Sequence, residues 1–331
     1  MRCPDCKHDQ KYKDGTRCGK CGYQFIFRKK DDRISDSSLR QIIQRLSDNG
    51  QYAFTATQLA LEICRSWRGK RQLIGGVIFA MVIALGVFFA TQRWGLSIIA
   101  LVVGLLFAMG MSQWRKTTLP FHQACALVRR YHQAHPITGL ADGTAFRQQT
   151  AAVDLQDLQY APERILVVER DELVDLLIRN RFHLTTRTAV VSRSGYPEWV
   201  ANACQNFLRR HPDTPVQLLH DASLRGFHLS AQLTADPHWI LAGHRLVDLG
   251  LSSAALNPKI RLPWLPVNDH VKGGVLSAQH SKMLSAGHRI PMDCLGPKPL
   301  LNLLGAAVIS GTLTLATADA LGEIGVEVDY G

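Results

Sequence analysis

The sequence predicts a multi-domain chain: a small metal-binding module, a two-helix transmembrane hairpin and a C-terminal α/β domain built on a Rossmann-like parallel sheet. Three observations predict it. Two Cys-x-x-Cys motifs open the chain, two long charge-free stretches follow, and beyond residue 161 short apolar runs alternate with amphipathic ones. At 331 residues the chain exceeds one ordinary domain. Its charge is lopsided, with 38 Lys and Arg against 27 Asp and Glu, a net charge of +11 and a pI near 9.4. That excess suits nucleic acid or anionic lipid as a partner, or follows from membrane topology.

Residues 3 to 21 read CPDC, then an intervening stretch, then CGKC. Two such knuckles can close a tetrahedral thiolate site of Cys3, Cys6, Cys18 and Cys21 around Zn²⁺. Gly19 and Gly22 permit the backbone to curl past the sulfurs, and a segment this short has no core, so the metal would supply its folding energy. Four sulfurs leave no open coordination position, which points to structural zinc. A redox role would call for an adjoining βαβ pattern that is missing. Residues 1–27 resemble zinc ribbons. The other four cysteines, Cys64, Cys125, Cys204 and Cys294, are scattered and read as reduced thiols of a cytosolic setting.

Residues 28–70 read as a charged linker, RKKDDR, followed by two helices. Leu39, Ile42, Ile43 and Leu46 share one helical face, and Leu59, Ile63 and Trp67 another, on either side of the turn Asp48-Asn49-Gly50. A packed helical hairpin is the reading preferred over a helix-turn-helix that would touch phosphates. Over 71–115, Gln72 to Gln92 and Trp94 to Trp114 are charge-free and separated by Arg93. Each matches the roughly 20 residues that cross a bilayer. Trp94 and Trp114 suit the interface, and the flanking Arg and Lys residues predict an inner-membrane, multi-pass protein with both termini cytoplasmic. No secretory leader opens the chain.

Residues 116–160 read as a helical connector with Leu127, Val128 and Tyr131 on its apolar face. From 161 to 258 the pattern becomes ILVVE (strand), RDELVDLLIRN (helix), TAVVS (strand), PEWVANACQNFLRR (helix) and VQLLHDA (strand). Such alternation argues a parallel sheet with crossover helices. The histidines show no ligand spacing and read as ordinary surface or core residues. Residues 259–331 form an extension, with Leu300 to Ala318 expected to pack as a helix on the sheet.

The stretch from Arg164 to about Leu256 resembles the Toprim domain of the A subunit of type IIB topoisomerases and their meiotic double-strand-break relatives. ILVVER is similar to that family's first strand, ending in a metal-binding Glu, here Glu169. SRSGYP resembles its Gly-Tyr-Pro turn. LLHDASLRG stands where the family has its D-x-D motif, and LVDLGLSSAAL is similar to its Leu-Gly-Leu stretch. The resemblance implies that Glu169 and Asp221, the candidate catalytic and Mg²⁺-binding acids, meet at neighbouring strand ends, where one carboxyl should have a raised pKa. Ser223 replaces the second Asp, so metal affinity should fall. The family's tyrosine-bearing domain has no counterpart, since Tyr131 and Tyr160 lack its context.

Two functions are therefore in play. One is a membrane-anchored, non-catalytic binding or assembly module with zinc, protein partners and DNA. The other is a membrane-tethered, Mg²⁺-dependent phosphodiester enzyme.

Overall fold

The computed structural model describes residues 1–67, 120–147, 162–241, 243–251, 265–266, 284 and 287–312. They fall into two compact units, one drawn from Met1–Ile42 and Ala60–Tyr131, the other from Ile43–Leu59 and His132–Val328.

In the first unit the cysteine knuckles are closed by antiparallel bridges, Arg2 with Asp9 and Arg17 with Gln24. The aromatic residues that follow, Tyr23, Phe25 and Phe27, are buried. Phe27 stacks on Tyr131 of the Phe121–Ala134 helix with ring centres 5.7 Å apart, and the Tyr23 and Tyr131 hydroxyls meet at 3.2 Å. The Asp36–Leu46 helix starts under a Ser35 cap, whose hydroxyl accepts the Ser38 N–H at 3.2 Å. Its first residue, Asp36, is buried and accepts the N–H groups of Ile26 and Phe27, each at 2.9 Å. The RKKDDR segment is more ordered than a linker: Lys29–Asp32 forms a helical turn and Asp32 pairs with Arg130.

The second unit is α/β. Two short strands, β1 (Phe54–Thr55) and β2 (Leu140–Ala141), pair in parallel. The main sheet holds β3 (Arg164–Val168), β4 (Thr188–Ser192), β5 (Val216–Leu219) and β6 (Leu246–Asp248), all parallel, in the order β4-β3-β5-β6. Strands covered on both faces read as unbroken apolar runs, which is why RILVV and TAVVS carry so little polarity. On one face Ile165, Val167, Val191 and Leu218 pack against Val200, Cys204 and Leu208 of the Glu198–Arg210 helix and against Leu229, Leu233 and Trp239. Each fully buried Val or Leu contributes about 1.5–3 kcal/mol. The Pro297–Ser310 helix covers β5, where the buried Gln217 donates from Nε2 to the Val308 carbonyl at 2.8 Å. This helix takes in the first part of the Leu300 to Ala318 stretch, of which 313–318 lie outside the described residues. A short antiparallel pair, β7 (Leu265–Pro266) with β8 (His288–Arg289), completes the described strands.

The transmembrane part of the expected fold class is corrected. Among the described residues no helix is long and apolar enough to cross a membrane. The longest helices with both ends described, Phe121–Ala134 and Pro297–Ser310, have 14 residues each. At about 1.5 Å rise per residue they reach roughly 21 Å, short of the roughly 30 Å hydrocarbon core. The stretches Gln72 to Gln92 and Trp94 to Trp114, on which the hairpin and the multi-pass inner-membrane location rested, lie outside the described residues.

The chain runs from β3 outward to β4 and then back past β3 to β5. Neighbouring connections therefore leave in opposite directions between β3 and β5, at the carboxyl ends where open α/β sheets place their ligands. Both Glu169 and Asp221 sit there.

Candidate functional site

The two knuckles at the N-terminus are near copies. The Cys3 N–H donates to the His8 carbonyl and the Cys18 N–H to the Tyr23 carbonyl, both at 2.9 Å; Lys7 N–H returns to Cys3 O and Gly22 N–H to Cys18 O. The residue four places after each leading cysteine takes a left-handed conformation, Lys7 at φ 61° and Gly22 at φ 76°. Of the two expected glycines only Gly22 bends the chain this way. The four sulfur atoms lie within 4.8 Å of one another, with Cys3 to Cys21 at 3.5 Å and Cys6 to Cys18 at 3.6 Å. A tetrahedron of sulfurs about 2.3 Å from a zinc ion has edges of about 3.8 Å. The four cysteines could therefore hold a metal ion such as zinc.

Their protonation agrees with that chemistry. Backbone N–H groups from Cys21 and Lys20, against the opposing effect of burial, bring Cys18 down to about 6. Cys21 goes up to about 12: the Tyr23 backbone favours its thiolate, but burial and the three neighbouring sulfurs outweigh that. Cys18 is thus disposed to be a thiolate, whereas Cys21 holds its proton unless a cation is beside it.

At the sheet edge the geometry takes another form. Glu169 Oε2 accepts the Asp221 N–H at 2.9 Å, so the two residues are adjacent. Burial raises the Glu169 pKa first and the Asp221 charge adds to it, only partly offset by the Asp221 N–H and by Arg170. Asp221 is fully buried. Its Oδ1 accepts the Met292 N–H at 2.7 Å and the Arg170 Nη2 at 3.3 Å. Its Oδ2 lies 3.1 Å from Arg170 Nε and 3.0 Å from Arg289 Nη1, near enough for ion pairing though not aligned for hydrogen bonds. Arg170 also pairs with the fully buried Asp293, and Asp293 accepts the Thr55 hydroxyl. Burial alone would raise the Asp293 pKa, but the Arg170 guanidinium holds it below the usual carboxylate range. Three carboxyls thus face two guanidiniums, and the cluster is neutral when Glu169 keeps its proton.

Ser223, expected where a third acid would stand, does something local. Its hydroxyl accepts the Gly226 N–H at 2.8 Å and caps the short Leu224–Phe227 helix. The residues that close the cluster were missed in the sequence. Arg170 stands beside Glu169 in ILVVER, and Arg289 and Asp293 come from the C-terminal extension, which bridges Ala222 through Ile290 and so lies along the strand end.

His220, read as an ordinary residue, is buried and holds oxygen at both ring nitrogens. Nδ1 lies 2.8 Å from the Asp221 carbonyl and Nε2 lies 3.0 Å from Asp248 Oδ1. Only the imidazolium donates to both. Burial would lower its pKa, but the Asp248 carboxylate and the Asp221 carbonyl together raise it. A Cβ at Gly250 would fall 2.2 Å from Nε2, so only glycine lets the chain pass over the ring. In the Gly-Tyr-Pro turn the Tyr196 hydroxyl donates to the buried Asp175 at 2.5 Å and accepts the Phe146 N–H at 2.7 Å. Asp175 Oδ2 in turn accepts the N–H groups of Gly143, Thr144 and Ala145. That turn fastens the 142–147 loop, a stretch in which the sequence suggests no chemistry.

Comparison of the chain with models of known protein families, with characterised proteins and with solved structures finds no match.

Proposed function

We propose that this chain is a non-catalytic binding and assembly module. Its cysteine module carries one structural Zn²⁺, and its sheet domain is a degenerate relative of the Toprim domain that engages protein partners and nucleic acid. The observation that carries this reading is the state of Asp221, whose two carboxylate oxygens are committed to Arg170, Arg289 and the Met292 N–H. Mg²⁺ needs carboxylate oxygens with water or phosphate beside them. Here two guanidiniums supply positive charge in its stead. Phosphoryl chemistry depends on metal charge next to the transferring group, which arginines already paired with Asp221 do not deliver.

The test is a calorimetric titration of the full chain with Mg²⁺ and Mn²⁺, beside a nuclease assay on the protein and on Glu169→Ala. The expected result is no saturable heat and no cleavage. Metal-dependent cleavage that disappears in Glu169→Ala would establish the phosphodiester enzyme instead.

A further inference from the structure

An opening lies at the carboxyl edge of the main sheet. It is a cleft of about 420 Å³ lined by Arg193, Arg225, Gln232, Leu233, Ala235 and Asp236. Arg193 directly follows β4, and Arg225 lies on the Leu224–Phe227 helix that follows β5, so both arrive from the carboxyl edge of the sheet. Arg193 is fixed by its backbone: its N–H donates to the Val168 carbonyl at 2.8 Å and its carbonyl accepts the Trp239 indole N–H at 3.1 Å. Its guanidinium makes no hydrogen bond to a described residue, which leaves its fork available, although its charge, after the His238 backbone and side chain, helps to hold the Asp236 pKa down. In the same lining the buried Oε1 of Gln232 has no hydrogen-bond partner among the described residues. The one acid in the lining, Asp236, already accepts the His238 N–H and faces its ring Nδ1, each at 2.9 Å.

A ligand suited to this lining carries an anion for the Arg193 fork, to which the already engaged Arg225 adds positive charge, and a hydrogen-bond donor for a buried amide oxygen. A carboxylate is satisfied by one arginine fork; a phosphate has oxygens for two. The volume lies at the small end of small-molecule sites, about 300–1,000 Å³, which suits a single nucleotide. We infer that this cleft binds a nucleotide, with its phosphate between Arg193 and Arg225 and an amino-bearing base donating to Gln232. The ligand is either a free nucleotide or one unit of a single-stranded nucleic acid, since both offer that chemistry. The inference deepens the proposed function by giving nucleic acid a place on the sheet domain, and it stands whether or not the acid cluster takes a metal.

The experiment is fluorescence anisotropy of the full chain with a labelled oligodeoxyadenylate, with AMP and inorganic phosphate as competitors. Arg193→Glu with Arg225→Glu is compared with Arg209→Glu on the exposed side of the Glu198–Arg210 helix. Arg193→Gln with Arg225→Gln serves if the reversals unfold, as judged by circular dichroism. The expected result is binding weakened at least about tenfold for each arginine removed, because a charge-assisted hydrogen bond is worth a factor of ten or more. The salt dependence should flatten by about two phosphate contacts, and Arg209→Glu should bind normally. Gln232→Leu should lower affinity for AMP while leaving inorganic phosphate unchanged. Competition by AMP at concentrations that remove the oligonucleotide assigns a free nucleotide; competition by neither assigns the strand. No binding of any of the three probes, or binding that survives loss of both arginines, overturns the inference.

Discussion

The cysteine module and the acid cluster answer the same electrostatic problem in opposite ways. Both gather groups that repel when ionised. In the module, four sulfurs lie within 4.8 Å of one another and no described Lys or Arg side chain is hydrogen-bonded to them, so the arrangement could take a metal ion. At the sheet edge, Arg170 and Arg289 bring positive charge from within the chain. A tight ring of like ligands therefore signals a metal only when no guanidinium fills the same space. The comparison also separates two settings: the module's own core is a small cluster of Tyr23 and Phe25 on Cys3 and Cys18, whereas the acid cluster sits on a packed sheet.

The sharpest way to break the comparison is to remove the outside cation. Purified protein should contain one zinc per chain, and Cys18→Ser or a strong chelator should release it and unfold residues 1–27. Structural zinc supplies on the order of 10–16 kcal/mol to such modules, so the loss should be complete, seen as early proteolysis near Lys7 and Lys13. Metal analysis that finds no zinc would sink the idea.

A smaller effect is expected when an inside charge is removed. Asp221→Ala leaves Arg170 and Arg289 buried without their shared partner and should cost about 3–5 kcal/mol, read from the urea midpoint. The zinc content of that variant should be unchanged. A stability loss below about 1 kcal/mol would mean that the cluster is far more solvated than its burial indicates.

The smallest effect concerns His220. Its folded pKa is raised above the ordinary value, so its contribution is present in full below about pH 6.5 and is lost as pH rises through the folded value. Asp248→Asn keeps an oxygen for the Gly250 N–H, which Asp248 accepts at 2.7 Å, but removes the charge that favours the imidazolium. The wild type should therefore exceed this variant in stability more at pH 6 than at pH 8. Because the Asp248 side chain is 64% exposed, the difference should stay under about 1 kcal/mol. Parallel stability curves across that range would remove His220 from any role as an imidazolium.

What the sequence alone determined is local. The spacing of Cys3, Cys6, Cys18 and Cys21 dictates two tight turns, and the apolar runs RILVV and TAVVS dictate strands that must be covered on both faces. The periodicity of 198 to 210 dictates the helix that covers one of them. Those signals lie within a few residues of one another, and local backbone geometry converts them directly into structure. The adjacency of Glu169 and Asp221 is implied in the sequence only by the resemblance, and it rests on β3 and β5 being parallel neighbours in the sheet.

Tertiary structure decided which charges meet those acids. Arg170 finds Asp293 across 123 positions of chain, and Asp293 is met by Thr55 across 238. Nothing in an isolated Asp or Arg encodes such a partner, because a buried ion pair is selected by which distant segment the fold lays across the strand ends. The low-dielectric interior then makes that choice consequential. The same residues Glu169 and Asp221 would be ready metal ligands beneath an open edge. Under the segment that carries Arg289, Met292 and Asp293 they become members of an internally neutralised cluster.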